Sequence, residues 1–391
     1  MKLGSAAGVV DDAQSALGRL CEQAESALDG NPADLVFLFV TSHFEDEAAD
    51  IVQTVVRRHP SAILIGSSAE GVIGGDAEYE RTPAIAVLLM NLPNVKLTPF
   101  HLAKDVFTRD LSSENLRKWV DTEPAEEPTF FLFGDPFTLP ITPLLTCFDQ
   151  AFPHRPVFGG MCSGVERPGQ SVLILDDQVH REGAVGVAVS GDVQIQPVVS
   201  QGCRPIGEPM VITAAEGQII KQLGGVPAFE RLRETVESLS PDDQSLARQA
   251  LFIGQVINEY QESFSQGDFL IRNLVGFEPQ SGALAVGDAM RTGTTVQFHV
   301  RDAKSADQDL RQMLTAAIRQ GQTAGGLLFS CNGRGTRMWT EPNHDLRVAH
   351  ELLNSAPLAG FFAAGELGPV GGRNFIHGHT ASMALFRPKP T

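Results

Sequence analysis

The sequence predicts an α+β fold in which mixed, largely antiparallel sheets are flanked by helices. Short apolar runs typical of buried strands alternate with segments whose apolar residues recur at helical spacing. The order strand, helix, strand, glycine-rich turn, strand occurs three times, and we call each occurrence a module. The last connection within each module is too short for a crossover helix, so antiparallel pairing must accompany parallel pairing.

An amphipathic helix is predicted ahead of the first module, at residues 11–28, because Leu17, Leu20, Ala24 and Leu28 share one helical face. The first module consists of a strand at 35–40, a helix at about 46–58, a strand at 62–65, the run GSSAEGVIGG at 66–75 and a strand at 84–90, with a hairpin partner at 95–101.

The other two modules follow the same order. The second has a strand at 130–133, a helical segment at 139–152, the run FGGMCSG at 158–164 and strands at 171–175 and 184–189. The third has a strand at 326–330, a helix at about 344–353, a strand at 358–362, a glycine-rich run and a strand at 381–386. The irregular spacing argues against a solenoid and favours a duplicated α+β module.

Between the second and third modules lies a region of different character. Its predicted elements are helices at 214–223, 227–239 and about 240–255, strands at 269–275, 283–286 and 295–300, and a helix at 303–319 that Asp302 caps. The Gly224–Gly225 pair is the best candidate for a domain boundary. We therefore predict a helical lead-in at 1–30, an N-terminal domain at 31–225 and a C-terminal domain at 226–391.

Composition limits the classes of function. The chain has 391 residues, a hydrophobic content of 42% and a net charge of −17, which fits a globular protein and argues against binding to nucleic acid or anionic membranes. No apolar run is long enough to span a bilayer, and no signal peptide is evident. The five cysteines are scattered and show no CxxC spacing, which favours a reducing compartment. We expect a cytoplasmic protein.

Two glycine-rich segments suggest a binding site. One is the run GFFAAGELGPVGGRNFIHGHTASMALFR at 360–387, and the other is FSCNGRG at 329–335. Glycine lets the backbone approach a ligand closely, and the phenylalanines should hold these segments to a core rather than leave them as linkers. We expect the two segments to meet and to enclose a small molecule between a positive and a negative wall.

The polar residues of these segments fit an amino-acid ligand. Arg334 and Arg373 could bind a carboxylate, Glu366 could bind an ammonium group, and Asn374 could supply a paired donor and acceptor. The alternative is structural: Arg334 braces its loop or pairs with Glu366, or Glu366 and Arg373 form an internal ion pair. The predicted ligand-binding residues are Arg334, Asn332, Glu366, Arg373, Asn374, His377, Ser68 and Glu70.

Other chemistries stay open. Cys331 and Cys162 follow strands in glycine-rich turns, where a nucleophile could be displayed, although cysteine more commonly serves as a small buried hydrophobe. His377 and His379 are two residues apart but have no evident third ligand, so we predict no metal site. Haem, with His43, His377 or His379 as axial ligand, is an alternative rather than the predicted cofactor. We find no phosphate-binding loop and no dinucleotide fingerprint.

The runs GSSAEGVIGG, FSCNGRG and GELGPVGGRNFIHGHTASMALFR, together with the step Arg301-Asp302-Ala303, resemble the FIST family over residues 35–387. That resemblance implies a FIST N-terminal and a FIST C-terminal domain, and a sensory role in signal transduction with small ligands such as amino acids. Some relatives carry an F-box, for which the residues before the first predicted strand leave no room, and some bind haem. We see no output segment, so a separate signalling partner is expected.

We therefore predict a non-catalytic small-molecule sensor rather than an enzyme. A cysteine-dependent enzyme acting on a small amide or carboxylate, a haem-based gas sensor and a scaffold without ligand are the alternatives.

Overall fold

The computed structural model describes residues 1–10, 13–108 and 110–389. The chain forms two compact units. The larger unit comprises residues 1–199, 310–376 and 380–391, and the smaller unit comprises residues 200–309 and 377–379. These units divide the chain differently from the predicted boundary at 225/226.

The strands are β1 (Lys2–Val9), β2 (Leu35–Thr41), β3 (Ile63–Ala69), β4 (Gly71–Gly74), β5 (Ala77–Glu80), β6 (Ala84–Asn91), β7 (Val95–Leu102), β8 (Thr129–Gly134), β9 (Val157–Met161), β10 (Leu173–Leu175), β11 (Gln178–His180), β12 (Ala184–Gly191), β13 (Val193–Gln201), β14 (Cys203–Glu216), β15 (Ile219–Leu223), β16 (Val226–Pro227), β17 (Leu251–Val256), β18 (Phe269–Glu278), β19 (Ala283–Val286), β20 (Thr295–Arg301), β21 (Gly325–Cys331), β22 (Leu358–Ala363), β23 (Glu366–Val370), β24 (Arg373–His377) and β25 (Thr380–Pro388). The helices are α1 (Ala13–Glu25), α2 (Ala48–Arg58), α3 (Ser113–Val120), α4 (Ile141–Ala151), α5 (Ala228–Ser238), α6 (Pro241–Gln249), α7 (Ala303–Ile318) and α8 (His344–Leu352). The fold is α+β, as predicted.

The larger unit contains three six-stranded sheets, and each is built around one predicted module. Their strand orders are β1-β6-β2-β3-β10-β11, β24-β23-β9-β8-β12-β7 and β13-β25-β21-β22-β4-β5. In every module a parallel pair, joined through one helix, is flanked by the module's returning antiparallel strand. The mixed pairing expected from the connection lengths is therefore present.

The three modules exchange strands in a cycle. Strand β4, from the first module, pairs with β22 of the third. Strand β23, from the third, pairs with β9 of the second, and β10, from the second, pairs with β3 of the first. The glycine-rich segments that we predicted as turns are thus largely strands that carry the chain from one sheet to the next.

Glycine is required in these strands by the close approach of neighbouring backbones. A Cβ atom on Gly360 would collide with the carbonyl oxygen of Leu328 on the parallel neighbour. The same collision would occur between Gly66 and Leu38 and between Gly159 and Leu132 in the other two modules. Part of the glycine signal that suggested ligand loops is therefore a packing requirement.

Equivalent phenylalanines join the three sheets in one core. Phe39, Phe133 and Phe329 each occupy the fifth position of the first strand of a module. Their ring centroids lie 5.5 Å apart for Phe39 and Phe133, 5.8 Å for Phe133 and Phe329, and 6.4 Å for Phe39 and Phe329. All three are fully buried, and their edge-to-face packing adds to the free energy gained by burial.

The smaller unit contains a seven-stranded antiparallel sheet of order β14-β20-β17-β18-β19-β15-β16, and helices α5 and α6 pack near it. Here the predicted helix at 214–223 is wrong. Those residues form the end of β14 and strand β15, which pair across a turn where Gly217 has a φ of 57°. The helix predicted at 240–255 ends at Gln249, and strand β17 begins at Leu251.

The predicted helical lead-in is incomplete, because residues 2–9 form β1, which pairs along its whole length with β6. Residues 11 and 12, where we predicted the first helix to begin, lie outside the described residues. The helix then runs from Ala13 to Glu25.

Candidate functional site

Arg334 lies at the centre of the candidate site, in the turn that follows β21. Its side chain is fully buried and forms two parallel hydrogen bonds to Asp345, with Nε 2.7 Å from Oδ2 and Nη2 2.8 Å from Oδ1. Asp345 stands in the first turn of α8, where the positive end of the helix dipole favours a carboxylate. The guanidinium plane is thereby fixed in one orientation.

Two further side chains complete the shell of Asp345. The Ser330 hydroxyl donates to Oδ2 at 2.9 Å, and His344 Nδ1 lies 3.1 Å from Oδ1. Burial opposes ionisation of Asp345, but the charge and hydrogen bonds of Arg334, with help from His344, hold the pKa of the carboxyl well below its ordinary value. The carboxylate in turn raises the pKa of Arg334 despite its burial. Both members of the Arg334–Asp345 pair are therefore ionised throughout the neutral pH range.

An aromatic side chain covers the guanidinium. The Arg334 Cζ atom lies 4.9 Å from the ring centroid of Trp339, and Trp339 stacks on His344 with centroids 3.7 Å apart. A cation over an indole face is attracted electrostatically, more strongly when water is excluded. The stack supports the same orientation that Asp345 imposes.

Glu366, the first residue of β23, supplies a second buried carboxyl group. Its Oε2 accepts hydrogen bonds from the Thr380 backbone N–H at 3.2 Å and the Thr380 hydroxyl at 2.7 Å. Burial raises the pKa of Glu366 to about 8, although hydrogen bonds from Thr380 and from the Cys331 thiol and the charge of Arg334 oppose the rise. Near neutral pH this carboxyl therefore holds its proton in most molecules.

Four buried polar atoms around this site have no hydrogen-bond partner among the described residues. They are Nη1 of Arg334, Oε1 of Glu366, Oδ1 of Asn332 and Oε2 of the nearby Glu78. Native proteins pair almost all such atoms with protein or water. Residues 331–333 are partly exposed, whereas Arg334 and Glu366 are fully buried. The site therefore contains a buried donor, Arg334 Nη1, and a buried acceptor, Glu366 Oε1, and solvent reaches the turn at 331–333.

Glu78 of β5 is a third buried carboxyl close to this ion pair. Its Oε1 accepts the backbone N–H of Leu346 at 2.8 Å and so caps α8, while its backbone N–H donates to Asn343 Oδ1 at 2.7 Å. Burial, reinforced by the negative charge of Asp345, raises the pKa of Glu78 to about 8. The hydrogen bonds to α8 indicate a structural role for Glu78.

Sequence reasoning did not identify Asp345, Trp339, His344, Thr380 or Glu78. The signal available for Asp345 was its place in the first turn of a predicted helix that follows the arginine-bearing turn. The structural alternative in which Arg334 pairs with Glu366 is wrong, because the carboxylate that binds Arg334 is that of Asp345.

Arg373 and Asn374 contact other residues. Arg373 has 61% of its side chain exposed, with Nε 3.7 Å from Asp149 Oδ2, so the alternative of a Glu366–Arg373 ion pair is also wrong. Asn374 Oδ1 accepts the Val157 backbone N–H at 2.7 Å, and its Nδ2 donates to Asp149 and to the Arg155 carbonyl. Asn374 therefore holds β24 to its neighbours, and its side-chain groups are already used.

The remaining predicted residues are divided between the two units. Ser68 accepts the Val172 backbone N–H at 3.0 Å within the core of the larger unit. Glu70 forms an ion pair with Arg337, with distances of 2.5 and 3.1 Å, and so contacts the turn that carries Arg334. His377 belongs to the smaller unit and is buried.

The cysteines proposed as nucleophiles differ sharply. Cys162 is fully buried, and burial raises the pKa of its thiol to about 11, which suppresses the thiolate. Cys331 is partly exposed, and its sulfur accepts the Gly333 backbone N–H at 3.4 Å.

Within the described part of the chain, no group of three or more His, Cys, Asp or Glu side chains could hold a metal ion. The helices of that same part are all too short or too polar to cross a membrane.

Comparisons with known proteins cover almost the whole chain. Residues 34–226 match the FIST N domain, and residues 228–369 match the FIST C domain. An uncharacterised protein of Mycobacterium tuberculosis H37Rv is 41% identical over 388 residues, covering 99% of this chain and 100% of the relative. An uncharacterised protein of Mycobacterium bovis is 40% identical over 391 residues, covering 99% of each chain.

Among solved structures, the cyanuric acid hydrolase from A. caulinodans aligns over 100% of both chains, with 9% sequence identity and a TM-score of 0.40. No functional conclusion rests on a likeness of that size. The two domain matches and the full-length relatives do identify the chain: it belongs to the FIST family, whose domains are generally described as small-ligand sensors in signal transduction.

Proposed function

We propose that this protein is a cytoplasmic sensory protein that binds a small molecule between Arg334 and Glu366 and signals through a separate protein partner. The observation that carries the proposal is the pair of buried, unpartnered atoms of opposite kind, Nη1 of Arg334 and Oε1 of Glu366. Leaving such an atom unsatisfied costs about 1–3 kcal/mol, and a bound molecule that pairs with it recovers that cost.

The two atoms define the chemistry of the ligand. Nη1 is a cationic donor and suits a carboxylate or a carbonyl oxygen. Oε1 suits an N–H group, and an ammonium group would bind best to the ionised form of Glu366. Asn332 Oδ1 adds a second acceptor at the partly exposed end of the site. A small amino acid, or its amide, carries both required groups.

A route to the protein surface starts in the same turn. Two residues C-terminal to Arg334, Thr336 bonds Glu80 through its backbone N–H at 2.8 Å and its hydroxyl at 2.9 Å. One residue further, Arg337 pairs with Glu70. Thr336 and Arg337 are exposed, so a ligand that shifts the turn would alter charges that a signalling partner could contact.

A thermal-shift screen against amino acids, their amides and small carboxylates tests the proposal. Any compound that raises the melting temperature is then titrated into Glu366→Gln and Asn332→Ala. At pH 8.5, where most molecules carry an ionised Glu366, we expect Glu366→Gln to weaken binding about tenfold to a hundredfold, because a hydrogen bond to a charged group contributes roughly 1.5–3 kcal/mol.

The matched control is Glu341→Gln, which changes a carboxylate that is 74% exposed and paired with Arg347. It should bind like the unmodified protein. A ligand whose affinity is the same in all four proteins would place the binding site elsewhere and contradict the proposal. The proposal includes no haem, so mixing the protein with haem should give no Soret band.

A further inference from the structure

Cys331 differs from the other four cysteines in its surroundings. Cys21, Cys147, Cys162 and Cys203 are buried, whereas Cys331 is partly exposed. It is the last residue of β21, directly before the turn that carries Arg334, and it is in register with Ala363 of β22. The end of a parallel strand in an α/β-type layer is a common location for reactive side chains, because the following loop leaves them accessible.

Polar groups that could activate a thiol surround it. The Gly333 backbone N–H donates to the sulfur at 3.4 Å. The Cys331 thiol is hydrogen-bonded to the carboxyl of Glu366. That carboxyl is fully buried, and burial raises its pKa to about 8, so the fraction of molecules in which it is ionised and able to accept a proton grows as the pH rises towards 8.

Arg334 supplies a third group, a hydrogen-bond donor. Arg334 is close enough to Cys331 and Glu366 for their charges to act on it. Its Nη1 has no partner among the described residues, and Asp345 holds the guanidinium in place through the other two nitrogens. A preorganised cationic donor in a buried site stabilises negative charge that develops on a carbonyl oxygen during nucleophilic attack.

We propose that this protein also catalyses acyl transfer from a small amide or ester, with Cys331 as nucleophile, Glu366 as general base and Arg334 as the donor that stabilises the oxyanion. This activity goes beyond ligand binding and uses the same site, so it rests on the proposed location of the ligand. Asp345 is a positioning residue, because it acts through Arg334.

The reaction balances with water as the only co-reactant. Glu366 takes the thiol proton as the Cys331 sulfur attacks the carbonyl carbon, and the electron pair of the C=O double bond moves to oxygen, next to Arg334 Nη1. The tetrahedral species collapses to a thioester, and the leaving amine or alcohol takes the proton from Glu366. Water, deprotonated by Glu366, then attacks the thioester, which releases a carboxylic acid and restores the thiol.

Alkylation of the native protein is the first test. Iodoacetamide is added between pH 5.5 and 8.5, and adducts are counted by intact-mass analysis. We expect one adduct per chain, on Cys331, formed at least tenfold faster at pH 8 than on glutathione. Cys331→Ser should remain unmodified, Glu366→Gln should react at least tenfold more slowly with an altered pH profile, and the control Cys21→Ser should react like the unmodified protein.

Acylation is the second test. With p-nitrophenyl acetate we expect a burst of p-nitrophenol equal to the protein concentration and an acetyl group on Cys331, both absent in Cys331→Ser. An alkylation rate no faster than that of glutathione, together with no acetyl-protein, would overturn the proposal. The thermal-shift result distinguishes this failure from a failure of ligand binding, because Cys331→Ser should still bind the ligand.

Discussion

Arg334 and Asp345 form a two-pronged ion pair in which 0% and 1% of the two side chains are exposed. They are eleven positions apart in the sequence, with Arg334 in the turn that follows β21 and Asp345 in the first turn of α8. The pair uses Nε and Nη2 of the guanidinium and leaves Nη1 without a partner among the described residues. The contact with Asp345 thus fixes the orientation of the unpartnered Nη1 donor.

The first prediction concerns this pair. Asp345→Ala should destabilise the protein by about 3–5 kcal/mol, because it leaves the Arg334 charge buried and uncompensated. Urea unfolding followed by circular dichroism measures the change. The control Glu341→Ala removes an exposed carboxylate and should change the free energy of unfolding by no more than about 0.5 kcal/mol. A loss below about 1 kcal/mol in Asp345→Ala would contradict the assigned role.

The second prediction concerns pH. The pKa of Glu366 is raised from 4.5 to about 8 by burial, and that of Glu78 is raised to a similar value. Because the folded state holds these protons more tightly than the unfolded state, their contribution to stability is fully present below about pH 4.5 and is lost as pH rises towards 8.

Glu366→Gln removes one of the two titrating groups. Its stability relative to the unmodified protein should therefore increase steadily from pH 5 to pH 8.5, as measured by urea unfolding at several pH values. Glu341→Gln, at an exposed position, should show no such trend. A difference between Glu366→Gln and the unmodified protein that does not change with pH would show that Glu366 does not titrate in this range.

The third prediction tests the close approach of the parallel strands β21 and β22. Gly360→Ala should destabilise the protein by more than about 3 kcal/mol or prevent folding, because the new Cβ would collide with the Leu328 carbonyl oxygen. Gly18→Ala is the matched control, since a Cβ there meets nothing within 4 Å. In helix α1 that control should be neutral or stabilising by up to about 1 kcal/mol. Equal stability of both variants would mean that the close contact between β21 and β22 is not rigid.

Much of the fold was predictable because strand and helix periodicity is a local property. The three modules, their parallel pairs and their returning strands follow from the order of elements. The exchange of β4, β10 and β23 between sheets is set by contacts among distant segments, which no local pattern reports. The wrong prediction of a helix at 214–223 has a local cause. The apolar residues on both sides of Gly217 match helical spacing and hairpin pairing equally well.

The site was predictable in part. The two glycine-rich segments do meet, since Cys331 is in register with Ala363 and the Asn332 backbone N–H donates to the Ala363 carbonyl at 3.0 Å. Asp345 could not be chosen from among the many acidic residues without knowing where α8 packs. Arg373 and Asn374 follow Glu366 closely in sequence, but strand β24 directs them towards Asp149. Glu366 lies on β23, whereas Arg373 and Asn374 lie on the neighbouring edge strand β24, so residues that are close in sequence contact different parts of the unit.

The most direct test of the central claim is a high-resolution crystal structure of the protein with a compound selected by the thermal-shift screen. The account predicts ligand atoms within hydrogen-bond distance, about 2.7–3.2 Å, of both Arg334 Nη1 and Glu366 Oε1. Bonds from these two atoms to the protein's own backbone, with the compound bound elsewhere, would contradict it.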